Sequence, residues 1–191
     1  MCEPIESKRL SLRSMSVPVM EALLVGDTTG ALGLLECRID GDLLLNDMSR
    51  GVLEMRLGQI RRDPSVQPWL IRAMVDRDSG VMVGQTGFHT APRPEYLAAI
   101  APDGVELGYT VDAPYRRRGY ATEAAFALMH WAYALHGQRC FVLSVSPQNL
   151  PSTAMAESLG FEKCGSHIDD EDGLEIEYVR RFETWPAEWL T

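Results

Sequence analysis

Residues 105–124 read VELGYTVDAPYRRRGYATEA, and the fold follows from how this stretch parses. Val105, Leu107, Tyr109 and Val111 alternate as one face of a strand, which runs into a turn at Asp112-Ala113-Pro114. A basic run with a glycine comes next (Arg116, Arg117, Arg118, Gly119), followed by a long amphipathic helix. Strand, cationic glycine turn and helix start together predict an anion cradle. The first N–H groups of a helix lack intrahelical acceptors and point outward, where a phosphate can take them up. Gly119 permits a positive φ and lets a ligand reach the backbone. The arginines add full charges to that partial one. The backbone amides of Arg117, Arg118, Gly119, Tyr120, Ala121 and Thr122 are the expected polyphosphate donors, with the Thr122 hydroxyl beside them. The competing reading is a solvated basic turn that only caps a helix.

Outward from this stretch, 191 residues of which 46% are hydrophobic suffice for one sizeable core in a single domain. No apolar run is long enough for a membrane span, and Met1-Cys2-Glu3-Pro4 has no signal-peptide character. Cys2, Cys37, Cys140 and Cys164 are scattered with no C-x-x-C, and Cys140 opens an apolar strand as a buried free thiol would. That usage fits a reducing, cytoplasmic setting. The net charge of −9 argues against a nucleic-acid partner. It either favours a cationic substrate or serves solubility.

Along the chain, Lys8–Arg13 reads as a strand, and Ser16 as the cap of a helix from Val17 to about Val25 with Pro18 in its first turn. Thr28 or Thr29 can cap a second helix toward Cys37, and Asn46 a third over Asp47–Arg61. Trp69–Val75 and Val81–Phe88 flank Arg77-Asp78-Ser79-Gly80 as a hairpin. A proline-rich connection (Pro92, Pro94, Pro102) precedes Val105. The helix from Tyr120 stops after His136 at Gly137. Arg139–Ser146 is a continuous apolar run expected of a central strand, and Glu175–Phe182 is the last strand. Mixed strands and helices in this order predict an α/β fold.

Several residues carry no chemistry on this reading. His89, His130, His136 and His167 lack metal-ligand spacing, so no metal is expected. Asp169-Asp170-Glu171-Asp172-Gly173 lacks the calcium-loop pattern and reads as a solvated loop. A dinucleotide fold fits poorly, because the second glycine of G-x-G-x-x-G is missing.

Arg116-x-x-Gly119-x-Ala121 resembles the Q/R-x-x-G-x-G/A signature of GNAT-type N-acetyltransferases. The resemblance continues through Phe141-Val142-Leu143-Ser144-Val145, Asn149-x-x-Ser152 and Leu159-Gly160-Phe161. Arg9-Leu10-Ser11-Leu12-Arg13 is similar to the opening strand of the RimJ/RimL branch, which acetylates ribosomal-protein N-termini. The resemblance implies a single N-acetyltransferase domain over 1–191. Its mixed, mostly antiparallel sheet would be flanked by helices and would splay between the two central strands. It also implies acetyl-CoA as acyl donor and a primary amine as acceptor, on a protein N-terminus or a small molecule. Neither nucleic acid nor membrane is a partner on this reading, and the chain would be a monomer or homodimer.

Acyl transfer to an amine needs the neutral amine, yet amines are protonated near pH 7. Glu106 is the candidate base, since a carboxylate at the splay, tuned by partial burial, could take that proton. The family often has an acidic residue there. The alternative is an outward strand residue paired with a cation. Tyr109 and Val111 would offer backbone groups to the pantetheine arm, and an N–H near Tyr109 or Thr110 would polarise the thioester carbonyl. By resemblance Asn149 meets the pantetheine and Ser152 lies near the thioester sulfur, although either also suits simple helix capping. Many family members place a thiolate-protonating tyrosine four residues beyond the serine, where this chain has Ala156. A non-catalytic acyl-CoA-binding sensor or interaction module is the alternative function.

Overall fold

Nine strands and five α-helices make up the described residues, 2–40, 47–169 and 173–186 of a computed structural model. In chain order they are β1 (Ile5–Glu6), β2 (Leu10–Ser14), α1 (Val17–Leu24), α2 (Thr28–Leu35), β3 (Arg38–Ile39) and α3 (Asp47–Arg62). Next come β4 (Arg72–Asp76), β5 (Val81–Phe88), β6 (Val105–Val111) and α4 (Tyr120–His136). β7 (Cys140–Val145), α5 (Leu150–Ser158), β8 (Glu162–Asp169) and β9 (Gly173–Arg181) complete the chain. Of the strand pairings, β3–β5 and β6–β7 are parallel and the rest described are antiparallel, which gives the expected mixed, mostly antiparallel α/β architecture. The residues fall into two compact units, Met1–His89 with Tyr109–Ala127, and Thr90–Gly108 with Leu128–Thr191. β6 and α4 each run through both.

In the first unit the strand order is β1-β2-β4-β5, with β3 added beside β5. The predicted β4–β5 hairpin forms because Asp76 organises its turn: Oδ1 accepts from Ser79 N at 2.9 Å and from Ser79 Oγ at 2.7 Å. Apolar residues of three helices (Met20 and Leu23 of α1, Leu35 of α2, Leu53, Leu57 and Ile60 of α3) pack with Ile71, Ala73, Val75 and Met82. Each of the leucine, isoleucine, valine and methionine side chains contributes about 1.5–3 kcal/mol by leaving water. Arg72 is buried here, and its guanidinium donates to the carbonyls of Pro68 at 2.8 Å and Leu12 at 3.2 Å. Burial pulls its pKa down to about 10.

In the second unit the order is β6-β7-β9-β8. β7 is buried at nearly every position, as its unbroken apolar run requires. Leu97, Ala101, Cys140, Val142 and Val179 form its core, and Phe141 meets Phe182 edge-on with ring centroids 5.9 Å apart. Burial raises the Cys140 thiol to about 11, so it is inert packing as expected.

Some expectations are corrected. Asp27, rather than Thr28 or Thr29, caps α2, its carboxylate accepting from Gly30 N at 2.9 Å. Ser16 stands at the start of α1 without a side-chain cap bond. Trp69 ends a 3-10 turn, Pro64–Trp69, instead of opening β4. The two-residue strands β1 and β3, and the whole of β8, were not expected. Asp169 and Gly173 are no solvated loop but cross-strand partners closing the β8–β9 ladder. Asn46, and residues 170–172 of the acidic run, lie outside the described residues.

Candidate active site

Within the first unit, the end of β6 leads directly into the basic turn. The Asp112 amide donates to Val83 O at 2.9 Å, and Gly84 is needed beside it because a Cβ there would collide with the Thr110 carbonyl oxygen. Asp112 then caps a 3-10 turn, Ala113–Tyr115, by accepting from Ala113 N at 2.8 Å. Arg116 is extended and its Nε donates back to Val111 O at 2.9 Å. Two left-handed residues follow, Arg117 at φ 61° and Gly119 at φ 79°. For arginine that conformation costs about 1–2 kcal/mol, so the surrounding structure must enforce it.

The two bends deliver the chain into α4. Glu123 N reaches back to Gly119 O at 3.0 Å, while the N–H groups of Tyr120, Ala121 and Thr122 have no acceptor within the helix. Arg116, Arg117, Arg118 and Gly119 are all exposed around this end. Amide donors fixed by the backbone and exposed guanidinium groups thus share one turn, which suits a diphosphate.

Three anchors hold the turn. Glu123, in the first turn of α4, accepts from Ser7 Oγ, Arg9 N and Arg9 Nε, each at 2.7 Å. Burial alone would raise this carboxyl, but the hydrogen bonds from Arg9 and Ser7 outweigh it and hold it below the usual range. Arg9 Nη1 also donates to Arg118 O at 2.9 Å, and its guanidinium lies 4.6 Å from the centre of the Tyr120 ring. The Tyr120 hydroxyl in turn donates to Asp76 Oδ2 at 2.8 Å. Burial and that bond both raise the Tyr120 hydroxyl. Tyr115 OH donates to Asp40 Oδ2 at 2.9 Å, a third tether of the same turn.

In the second unit, Glu106 lies on β6 opposite Val142 and is only 5% exposed. It is therefore not an outward strand residue. The β6–β7 ladder consists of Val105↔Phe141 and Glu106↔Val142 and ends there, although both strands continue. This is the expected splay, and Glu106 occupies the last paired position before it. Beyond β7, Asn149 caps α5, its side-chain oxygen accepting from Ser152 N at 3.3 Å. Asn149 is exposed and Ser152 half-buried, whereas Ala156 one turn further is wholly buried. The structure thus gathers Tyr109, Val111 and Arg116–Thr122 in one unit, and Glu106, Asn149 and Ser152 in the other. No helix among the described residues is long and apolar enough to cross a membrane.

Residues 45–162 match the acetyltransferase (GNAT) domain. The chain belongs to this family. As a GNAT protein it is an N-acetyltransferase that draws its acetyl group from acetyl-CoA. The uncharacterised N-acetyltransferase YjdG of Bacillus subtilis (strain 168) is 26% identical over 159 residues, covering 82% of this chain and 88% of that protein. In fold the chain is similar to the microcin C7 self-immunity acetyltransferase MccE, solved with acetyl-CoA and AMP. The TM-score is 0.61 at 16% identity, over 92% of this chain and 94% of MccE. It is also similar to RimL, the ribosomal L7/L12 α-N-protein acetyltransferase, solved with coenzyme A. That TM-score is 0.58 at 19% identity, over 95% of this chain and 99% of RimL.

Sequence reasoning did not find Arg9, Glu123 or Asp76 as supports of the GNAT turn. Arg9 was visible only as part of an opening strand, and Glu123 only as an acid in a first helical turn. Their pairing spans 114 residues, and no local pattern encodes it.

Proposed function

We propose that the chain acetylates a primary amine by direct attack within a ternary complex, and that residues 1–191 act as one acetyltransferase domain. The left-handed turn at Arg117 and Gly119, opening onto the N-terminus of α4, carries this reading. The matched residues 45–162 include parts of both units, which supports the single domain.

The amides of Arg117, Arg118, Gly119, Tyr120, Ala121 and Thr122 would bind the coenzyme's diphosphate, with Arg116, Arg117 and Arg118 supplying charge. Gly119 sits at φ 79°, which favours glycine, and without a Cβ its amide is open to a ligand oxygen. Where β6 leaves β7, the backbone of Tyr109 and Val111 would pair with the pantetheine as an added strand, and Asn149 would meet the same arm. When bound, acetyl-CoA supplies an acetyl thioester already activated toward amines.

Glu106 would take the proton from the ammonium form of the acceptor, directly or through water, and free its lone pair. The nitrogen would then bond to the acyl carbon as the carbon–sulfur bond breaks, its second proton passing to solvent and the sulfur leaving as a thiolate. Ser152 is the candidate to donate a proton to that sulfur. A thiol of pKa about 8.5 also leaves tolerably without help. Most of the acceleration would come from holding the reactants together.

The RimL likeness favours a protein N-terminus as acceptor in the manner of the RimJ/RimL branch, and the net charge of −9 favours a cationic one. A screen of free CoA release tests this, with N-terminal peptides, polyamines and amino acids as acceptors. Turnover with one amine class, weakened in Glu106→Gln chiefly at neutral pH, is expected. Ala156, in place of the family's tyrosine, favours a second reading as a cofactor sensor. That reading would be supported by tight acetyl-CoA binding without CoA release for any amine.

A further inference from the structure

We propose that Arg9 is a positioning residue for the coenzyme's diphosphate, acting by aiming the Gly119 amide; this rests on reading the 116–122 turn as the diphosphate site. The Arg9 guanidinium makes three contacts of different kinds with that turn and the start of α4 behind it. Nε donates to Glu123 Oε2 at 2.7 Å, Nη1 donates to Arg118 O at 2.9 Å, and the plane lies over Tyr120 at 4.6 Å. An ordinary exposed ion pair contributes about 0–1 kcal/mol and orients nothing. Arg9 differs because one of its bonds fixes a peptide group of the turn itself.

The carbonyl of Arg118 and the N–H of Gly119 belong to one planar trans peptide and point in opposite directions. Holding Arg118 O toward Arg9 therefore turns the Gly119 N–H away from it, outward from the anchored side. The positive φ of Gly119 then carries the chain into α4, whose first amides continue the row of donors. The Arg9 backbone N fixes Glu123 beside it, and the guanidinium cannot swing out to meet a ligand without breaking its Nε bond to Glu123 and its Nη1 bond to Arg118 O. Glu123 also offsets its charge. Geometry, then, is what Arg9 supplies, and lysine cannot replace it, because one ammonium cannot reproduce a planar fork spanning a carboxylate and a carbonyl.

The test is calorimetric titration of coenzyme A and of pantetheine, which lacks the diphosphate, into wild type, Arg9→Ala, Arg9→Lys and the control Arg61→Ala. Arg61 pairs with Glu21 on an exposed surface remote in sequence from the turn. Thermal melting of each variant confirms that it is folded. Expected are Arg9→Ala and Arg9→Lys binding coenzyme A about tenfold more weakly, the loss of one well-aimed donor. Their pantetheine affinity and both affinities of Arg61→Ala should match wild type. Full affinity in Arg9→Lys would show that charge alone matters and would overturn the proposal. Equal weakening toward both ligands would overturn it as well, since that marks general loosening. If wild type itself does not prefer coenzyme A to pantetheine, the diphosphate site is misplaced and the underlying reading fails.

Discussion

The Tyr120 hydroxyl and the Asp76 carboxylate, 44 residues apart, are joined at 2.8 Å, so the first residue of α4 is bolted to the β4–β5 turn. Asp76 serves both ends, since its other oxygen organises Ser79. Tyr120→Phe removes the bond and leaves the ring under Arg9. We expect a stability loss of about 1 kcal/mol in urea unfolding, with weaker acetyl-CoA binding from a less fixed helix start.

Asp76 and Glu123 also set an acid limit. For both, burial raises the carboxyl but hydrogen bonds outweigh it: from Ser79 and Tyr120 for Asp76, and from Arg9 and Ser7 for Glu123. A carboxyl depressed in the folded state stabilises fully above its unfolded pKa, about 4, and that contribution is lost as pH falls through the folded value. Melting temperature should therefore drop below about pH 4, where these groups begin to take up protons. In the double variant Asp76→Asn, Glu123→Gln the drop should be shallower. An unchanged acid limb in that variant would remove both groups from the explanation.

Gly119 separates backbone strain from charge. A Cβ has room, its nearest neighbour being Arg9 Nη2 at 3.4 Å, so Gly119→Ala meets mainly the cost of a positive φ, about 1–2 kcal/mol. Gly119→Asp adds a carboxylate that competes with Glu123 for Arg9 and repels a diphosphate. Acetyl-CoA affinity should fall modestly in the alanine variant and vanish in the aspartate one, as read by calorimetry.

Ala156 marks where the family's tyrosine is absent, and its complete burial has a consequence. A tyrosine there would be forced among packed side chains, at about 1–3 kcal/mol. Ala156→Tyr should lower the melting temperature and leave CoA release no faster. Faster turnover would show that the position opens toward the reacting sulfur.

The stretch that decided the fold was legible because its signals are local. Apolar alternation, a glycine at each end of α4 and an unbroken apolar β7 fix their elements within a few residues. β8 escaped because its sequence, EKCGSHID, is an exposed edge strand with no apolar alternation to betray it. The cap of α2 lies one or two residues before the expected Thr28 or Thr29, because Asp27, Thr28 and Thr29 are all competent caps and only backbone geometry chooses. Glu106 was legible from its place on the strand that enters the turn, and partial burial was expected of it; that it is only 5% exposed depends on packing from distant segments. The Arg9–Glu123 and Tyr120–Asp76 bonds join distant segments, and although Arg9 and Tyr120 lie in stretches that carry the resemblance, nothing local marks the partners they bond.

The most direct measurement is a side-by-side calorimetric titration of acetyl-CoA into wild type, Glu106→Gln and Gly119→Asp. Expected is tight, matching binding in wild type and Glu106→Gln, because a base for the acceptor amine is not a cofactor anchor, and no measurable binding in Gly119→Asp. Equal affinity in all three would contradict the assignment of the 116–122 turn as the coenzyme's diphosphate site.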